Sequence, residues 1–321
     1  MKALHVTHHA GCASSIASVC SALGIPLETR FAGWNYNVGE GLAAEIYAMH
    51  RDLYESFDLV ITSDTAPLSR IFLQNAYPGR LLVWVCNRFD YYDGATNDCG
   101  FPDPGYHELF KSLCGGAFPN AKVFSYTAFE HEYAAKYRGF AWGGGTLKPF
   151  IFNAPVPDER VVTEGRPRFF VPPYHNDTWL SSAMHEAGIP HERGRYDGPR
   201  GLSAYDAVVH FPYAWSNLAL FEALANGVPY VVPTARFLRE ESTKFPFFWS
   251  PPMDWPLIGL SEWYDPVNAP ALTFFDSWAE LSEVCHRGRG YFQGASRRAR
   301  GLHERLSPVE LEKWRGALLS W

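Results

Sequence analysis

The stretch SNLALFEALANGVPYVVPT, residues 216–234, decides the reading of the fold. A polar pair, Ser216 and Asn217, opens it; one glutamate, Glu222, interrupts an apolar run; Asn226 and Gly227 then precede a short valine-rich segment. Leu218, Phe221, Leu224 and Ala225 recur at helical spacing, so one face of a helix points into a core. Ser216 or Asn217 fits the N-cap, and Asn226-Gly227 fits the C-terminal stop. Val228 to Val232 reads as a buried strand that Pro233 ends. A helix running into a buried strand is half of a βαβ unit.

The same alternation runs along the chain. Ala3 to Thr7 is a strand pattern ending in His8-His9-Ala10-Gly11, and a helix with Ile16, Val19, Cys20 and Leu23 on one side follows. Pro26 to Phe31 fits a second strand, Gly41 to Tyr54 a helix, and FDLVITSD a buried strand ending at Ser63-Asp64. RLLVWVCNRFD, residues 80–90, is another strand, and residues 122–139 read as strand, turn, helix and stop. Residues 142–167 are rich in Gly and Pro and suit a linker. The pattern restarts with RFFVPPYHND, a strand around Pro190 to Tyr196, YDAVVHFPY and the opening stretch; the tail from Phe275 reads as mostly helical. Strands alternating with helices predict an α/β chain of two parallel sheets flanked by helices. The expected domains are 1–148 and 149–321, the second with a C-terminal helical tail.

Composition agrees and narrows the function. A length of 321 residues accommodates two such domains. The net charge is −6 and no basic run is present, which argues against a nucleic-acid polymer as partner. None of the six cysteines forms a C-x-x-C pair or a zinc spacing with histidine, as expected for reduced thiols in the cytoplasm. The amino terminus has no long apolar segment, and no run is long enough for a transmembrane helix. The oligomeric state is not legible.

In open α/β sheets ligands bind beyond the carboxyl ends of the strands. The residues expected there are His8, His9 and Gly11; Ser63, Asp64 and Thr65; Asn87, Arg88 and Asp90; Tyr174 and His175; and Tyr213 to Asn217. Polar and titratable groups in both halves predict a cleft between two domains.

AWSNLALFEALANGVPYVVP, residues 214–233, resembles the carboxyl-domain signature of the GT-B-fold glycosyltransferases. The resemblance implies two Rossmann-like domains facing a cleft, the second holding a nucleotide-sugar donor and the first an acceptor, a glycan or a small molecule. On that reading the amides of Ser216, Asn217 and Leu218 receive the diphosphate, and Glu222 accepts from the ribose hydroxyls. An ordinary N-cap and a solvent-facing glutamate are the plainer alternative. Tyr174, His175 and Tyr213 line the donor side, with Arg193, Arg195 and Tyr196 as further candidates. Many retaining members carry two glutamates in an E-x7-E pattern; the first position here is Ala214.

On the acceptor side, His8 or His9 suits a general base because an imidazole titrates near neutrality. One histidine capping the helix while the other is exposed is an equally good reading. Asp90 is the competing base, with Arg88 as its partner, and Asp64 is a third; Gly11, Asp64 and Arg88 complete the acceptor side. No D-x-D occurs, which favours metal-independent transfer without a cofactor, and Gly143 to Gly145 lack the residues of a phosphate loop. Two other functions share these features: a nucleotide-sugar epimerase of the same fold, and a noncatalytic sugar- or nucleotide-binding protein. The aromatic run of residues 245–264 lines a pocket or packs as a loop cluster.

Overall fold

The computed structural model describes residues 1–33, 37–93, 98–149, 151, 166–196, 201–249 and 253–321, so most of the expected linker lies outside the described residues. The chain divides into two compact units. The first comprises Met1–Asn153, Ser250–Met253 and Val309–Trp321; the second comprises Ala154–Trp249 and Asp254–Pro308.

In the first unit β1 (Ala3–Thr7), α1 (Ala10–Ala22), β2 (Leu27–Phe31), α2 (Glu40–Glu55), β3 (Leu59–Thr65), α3 (Arg70–Leu73) and β4 (Arg80–Arg88) follow in turn. A small antiparallel pair that the sequence reading did not anticipate, β5 (Tyr91–Asp93) and β6 (Asp98–Phe101), precedes α4 (Pro104–Cys114), β7 (Ala121–Ser125) and α5 (Ala128–Arg138). The sheet runs β2-β1-β3-β4-β7 and is parallel throughout. Every residue of β1 and β3 is buried, as both faces of a parallel sheet are covered by helices. Their polar members pair with one another: His5 Nε2 lies 2.7 Å from Ser63 Oγ, which donates to Thr7 Oγ1 at 2.9 Å. Burial pushes the His5 imidazole down to about 3, so it is neutral in the core. Trp84 and Trp314 meet edge to face at 5.1 Å, and their indole N–H groups donate to the carbonyls of Leu147 and Lys148.

The second unit contains β8 (Phe169–Val171), α6 (Asp177–Glu186), β9 (His191–Arg193), β10 (Ala207–Val209), α7 (Leu218–Ala225), β11 (Tyr230–Pro233), α8 (Ala235–Glu241), β12 (Leu272–Phe275), α9 (Trp278–Cys285) and, as far as Pro308, α10 (Arg289–Leu319), whose remaining residues belong to the first unit. Its parallel sheet runs β12-β11-β10-β8-β9. Counted within each unit, both sheets have the strand order 2-1-3-4-5.

The opening stretch folds as a helix and a strand, as its pattern predicts, but the strand begins two residues later than expected, at Tyr230, and includes Pro233, and one helix residue faces another way. Six of the eight residues of α7 are buried; Leu218 and Glu222 are the two that stay half-exposed. They stand four apart on one stripe, so Leu218 shares the open face of Glu222 instead of joining the core face. Past its end Gly227 takes a left-handed φ of +63° under α10: Ser296 Oγ donates to its carbonyl at 2.5 Å, and a Cβ there would lie 2.3 Å from Arg300 Nε.

Candidate functional site

A strand order of 2-1-3-4-5 reverses direction once, between its first and third strands. There the two following connections leave in opposite directions and open a crevice at the carboxyl edge. In the second unit those strands are β8 and β10, and the loops after them are residues 172–176 and 210–217. Tyr174, His175, Tyr213, Ser216, Asn217 and Leu218 all lie on these loops or where they enter α7. Their chain positions come together because the topology makes them neighbours.

Ring contacts join the two loops. Tyr174 packs against Tyr213 at 5.1 Å and His210 at 6.0 Å, while His175 lies 5.3 Å from Tyr213 and stacks on Phe248 at 3.7 Å. A buried residue that sequence reading missed, Asn176, fastens them. Its Nδ2 donates to the carbonyls of Pro212 and Phe248, each at 3.0 Å, and its Oδ1 accepts from Phe248 N–H at 3.1 Å. Part of the aromatic run thus forms a wall beside the two loops. Its partners stand 36 and 72 residues away, so no local signal marks Asn176.

Asn217, not Ser216, is the N-cap of α7: its Oδ1 accepts from Ala219 N–H at 2.9 Å. Both residues are only 7% exposed. The cap leaves the Leu218 amide without an intrahelical acceptor. It also leaves the Asn217 Nδ2 group buried with no hydrogen-bond partner. The positive end of a helix and an unused amide donor are therefore buried together at the crevice. Two more buried polar atoms nearby have no partner, His210 Nε2 and the Tyr230 hydroxyl. Burial lowers the His210 imidazole to about 3 and raises the Tyr230 phenol, so both are neutral.

Glu222, one turn into α7, is half-buried, with the Tyr196 hydroxyl 3.5 Å from its Oε2. Tyr196 also hydrogen-bonds Tyr174, which brings this candidate to the site; burial raises both phenols. Arg193, by contrast, is paired with Asp177 at 2.8 Å.

In the first unit the reversal lies between β1 and β3; the loop after β1 carries His8 and His9, and Gly11 lies in the first turn of α1. The two histidines have different tautomers. His8 Nδ1 lies 3.2 Å from the Ala32 carbonyl, which can only accept, so Nδ1 carries the proton and Nε2 the lone pair. His9 is the N-cap of α1: its Nδ1 accepts from Gly11 N–H at 3.0 Å, which places its proton on Nε2. In β3, Asp64, one residue before its end, takes a left-handed φ of 71°. The β3–β4 register slips there, Asp64 facing Val85 and Thr65 facing Arg88.

Asp90 is placed as an anchor. It is buried and bonded to Arg138 Nε at 3.0 Å and Nη2 at 2.6 Å, to His107 Nε2 at 2.7 Å, and to the Tyr133 hydroxyl. Both its oxygens are occupied by these bonds, and Arg138 fills the partner's role expected of Arg88. The Arg88 side chain lies outside the described residues. Among the described residues no three His, Cys, Asp or Glu side chains converge as metal ligands.

No protein-family model matches the chain, and comparison with curated proteins finds no matching sequence. Solved structures are similar over the whole length. Anabaena Alr3699/HepE, in complex with UDP and glucose, aligns over 100% of both chains with a TM-score of 0.57 and 12% identity. The DNA-modifying enzyme β-glucosyltransferase, solved with and without uridine diphosphoglucose, aligns over 99% of both with a TM-score of 0.51 and 7% identity. The likeness shows a GT-B fold, built on two parallel five-stranded α/β sheets.

Proposed function

We propose that this chain is a glycosyltransferase that moves a sugar from a nucleotide diphosphate donor to an acceptor hydroxyl without a metal ion. The observation that carries the reading is the amino terminus of α7. It is buried at the strand-order reversal, with the Asn217 Nδ2 donor unpartnered. A buried helix end lacking partners is costly for the protein alone and suits a ligand that brings negative charge.

In the reaction the anomeric C–O bond breaks and its electron pair leaves on the diphosphate. The Leu218 amide, the Asn217 amide group and the helix dipole hold that charge as it grows, in a site that needs no reorganisation. Their fixed donors take the part a divalent cation plays elsewhere, in keeping with the absence of a D-x-D. Glu222 accepts from the ribose hydroxyls, and the Tyr174–His175–Tyr213 ring cluster bounds the donor. The first unit supplies the acceptor side. There His8 holds the tautomer of a base, with Nδ1–H anchored on Ala32 and Nε2 as acceptor, whereas the lone pair of His9 is used by its cap. Attack assisted by such a base inverts the anomeric carbon.

The test is a thermal-shift screen against UDP-, GDP-, ADP-, dTDP- and CMP-sugars, with and without EDTA, followed by turnover with candidate acceptors. A donor at ~100 times its Kd stabilises the fold by about 2.7 kcal/mol. A selective, EDTA-insensitive shift lost in Glu222→Ala, with donor consumed only when acceptor is present, is the expected result. Release of nucleotide with a 2-epimerised sugar would identify an epimerase, and binding without turnover a noncatalytic protein.

A further inference from the structure

Folding gathers arginines that the sequence spreads out. Residues 286–305 hold Arg287, Arg289, Arg297, Arg298, Arg300 and Arg305 against one acid, Glu304, in a chain whose net charge is −6. The residues between them include Phe292, Ala295, Ala299 and Leu302, which α10 turns into the core. What is left outward is a stripe. Gly290, Gly294, Arg297, Arg298, Gly301 and Arg305 fall within about a third of the helix circumference and run for about 22 Å. Arg297, Arg298 and Arg305 are exposed, and so is Arg287, just before the helix.

Four of the six charges are not neutralised. Arg289 is paired with Asp206 at 3.4 Å, and Arg300 is half-buried beside Gly227. Arg287, Arg297, Arg298 and Arg305 have no carboxylate within 4 Å among the described residues. Arg298 and Arg305 reach the backbone carbonyls of Pro270 at 3.3 Å and Gly301 at 3.4 Å, and Arg287 lies over the Tyr291 ring at 5.0 Å. None of these contacts cancels a charge. The exposed Arg51, Arg168, Arg193 and Arg236, by contrast, each hold a carboxylate.

The stripe is also flat. A Cβ at Gly290 or Gly301 would meet nothing within 4 Å, so no packing calls for glycine there, although glycine weakens a helix. With half of the stripe lacking side chains, the guanidinium groups lie along a low ridge.

We propose that this stripe docks the protein on an anionic phospholipid surface, with its arginines on the headgroup phosphates. Guanidinium groups bond phosphate oxygens in pairs. A lipid surface is planar and offers phosphates everywhere, which suits charges set in a straight line. A protein partner would be held by buried apolar anchors, and the stripe carries only glycine and arginine. Because the apolar face of α10 is packed in the core, the helix adsorbs without inserting, and the binding is electrostatic.

The test sediments the intact protein with vesicles of phosphatidylcholine alone, or of phosphatidylcholine mixed with phosphatidylglycerol, in low and in high salt. It reads bound protein, so it is independent of the proposed transferase activity. Binding to the anionic vesicles only, lost in high salt, is expected. The combined variant Arg297→Gln, Arg298→Gln, Arg305→Gln should bind them about a hundredfold more weakly. Arg51→Gln, Arg168→Gln, Arg236→Gln removes as much charge elsewhere and should stay within a few-fold of the wild type. Equal binding to both vesicles, no binding to the anionic ones in low salt, or full binding by the stripe variant would overturn the proposal. So would retention on heparin without binding to vesicles, which would assign the stripe to a soluble polyanion. The wild-type comparison of the two vesicles decides this even where a variant fails to fold.

Discussion

Asn176 and Phe248 grip one another through both ends of an amide. The Asn176 Nδ2 donates to the Phe248 carbonyl at 3.0 Å, and Phe248 N–H returns a bond to Oδ1 at 3.1 Å. With the third bond, to the Pro212 carbonyl, one buried side chain fixes two loops and the aromatic wall. Asn176→Ala removes all three bonds and leaves their partners unpaired, so a loss of about 2–4 kcal/mol is expected. Asn176→Asp should fare no better, since a carboxylate has nothing to donate to two carbonyls. Calorimetry that found the melting temperature of the Ala variant unchanged would mean the three bonds contribute nothing.

The donor site can be separated from the fold at Asn217. Asp caps a helix as well as Asn does, so Asn217→Asp should keep the bond to Ala219 N–H and change the apo stability by less than about 1 kcal/mol. It removes the Nδ2 donor and sets a negative charge where the diphosphate should lie. Titration calorimetry should then show nucleotide diphosphate binding weakened by roughly tenfold or more, a loss of at least ~1.4 kcal/mol. Equal affinity in both proteins would place the diphosphate elsewhere.

The two adjacent histidines should respond differently. His8→Gln is expected to lower kcat by about a hundredfold or more, the usual contribution of a general base, with donor affinity retained. His9→Asn keeps a capping side chain and should leave kcat within a few-fold. The opposite pattern in steady-state kinetics would exchange the two assignments.

Stability should fall in mild acid. His5 and His210 are held near 3 by burial, against an ordinary 6.5, so below that value the unfolded chain binds protons that the folded chain refuses. Their contribution is fully present above 6.5 and is lost as pH falls toward 3. Each pH unit costs up to about 1.4 kcal/mol per histidine. Urea midpoints between pH 7 and 5 measure it, and His210→Phe should flatten the dependence.

Gly227→Ala tests the clamp of α10 on α7. The new methyl meets Arg300 Nε at 2.3 Å and Cγ at 2.8 Å, in a backbone conformation that side chains avoid. A loss of about 1–3 kcal/mol is expected. Adding Arg300→Ala should recover the steric part only; full recovery would show that the left-handed backbone costs nothing.

Much of this was legible locally. The period of residues 216–234 gave the helix, the strand and the N-cap, because those depend on residues within two turns of one another. The strand-end lists were legible as well, since ligands of a parallel sheet bind where its strands finish and the loops there are polar. What the sequence withheld was pairing at a distance. Asp90 read as a base because Arg138 stands 48 residues away, and Asn176 read as loop because Phe248 is 72 away. His8 and His9 were indistinguishable until the Ala32 carbonyl and the Gly11 amide fixed their protons. Leu218 counted toward the core because a helix apolar nearly all round has no periodicity to show which stripe stays open.

The shared strand order of the two sheets also bears on how such a protein changes over time. Each sheet keeps its packing in the strands, and the proposed function places ligand contacts only in the loops at one reversal point. Substitutions in those loops can alter what is bound on one side while the other side and both cores stay as they were. Evolvability is thus partitioned by topology. A library restricted to residues 172–176 and 210–217 would sample new donors at little risk to folding, save at Asn176, where the same loop holds the structure together.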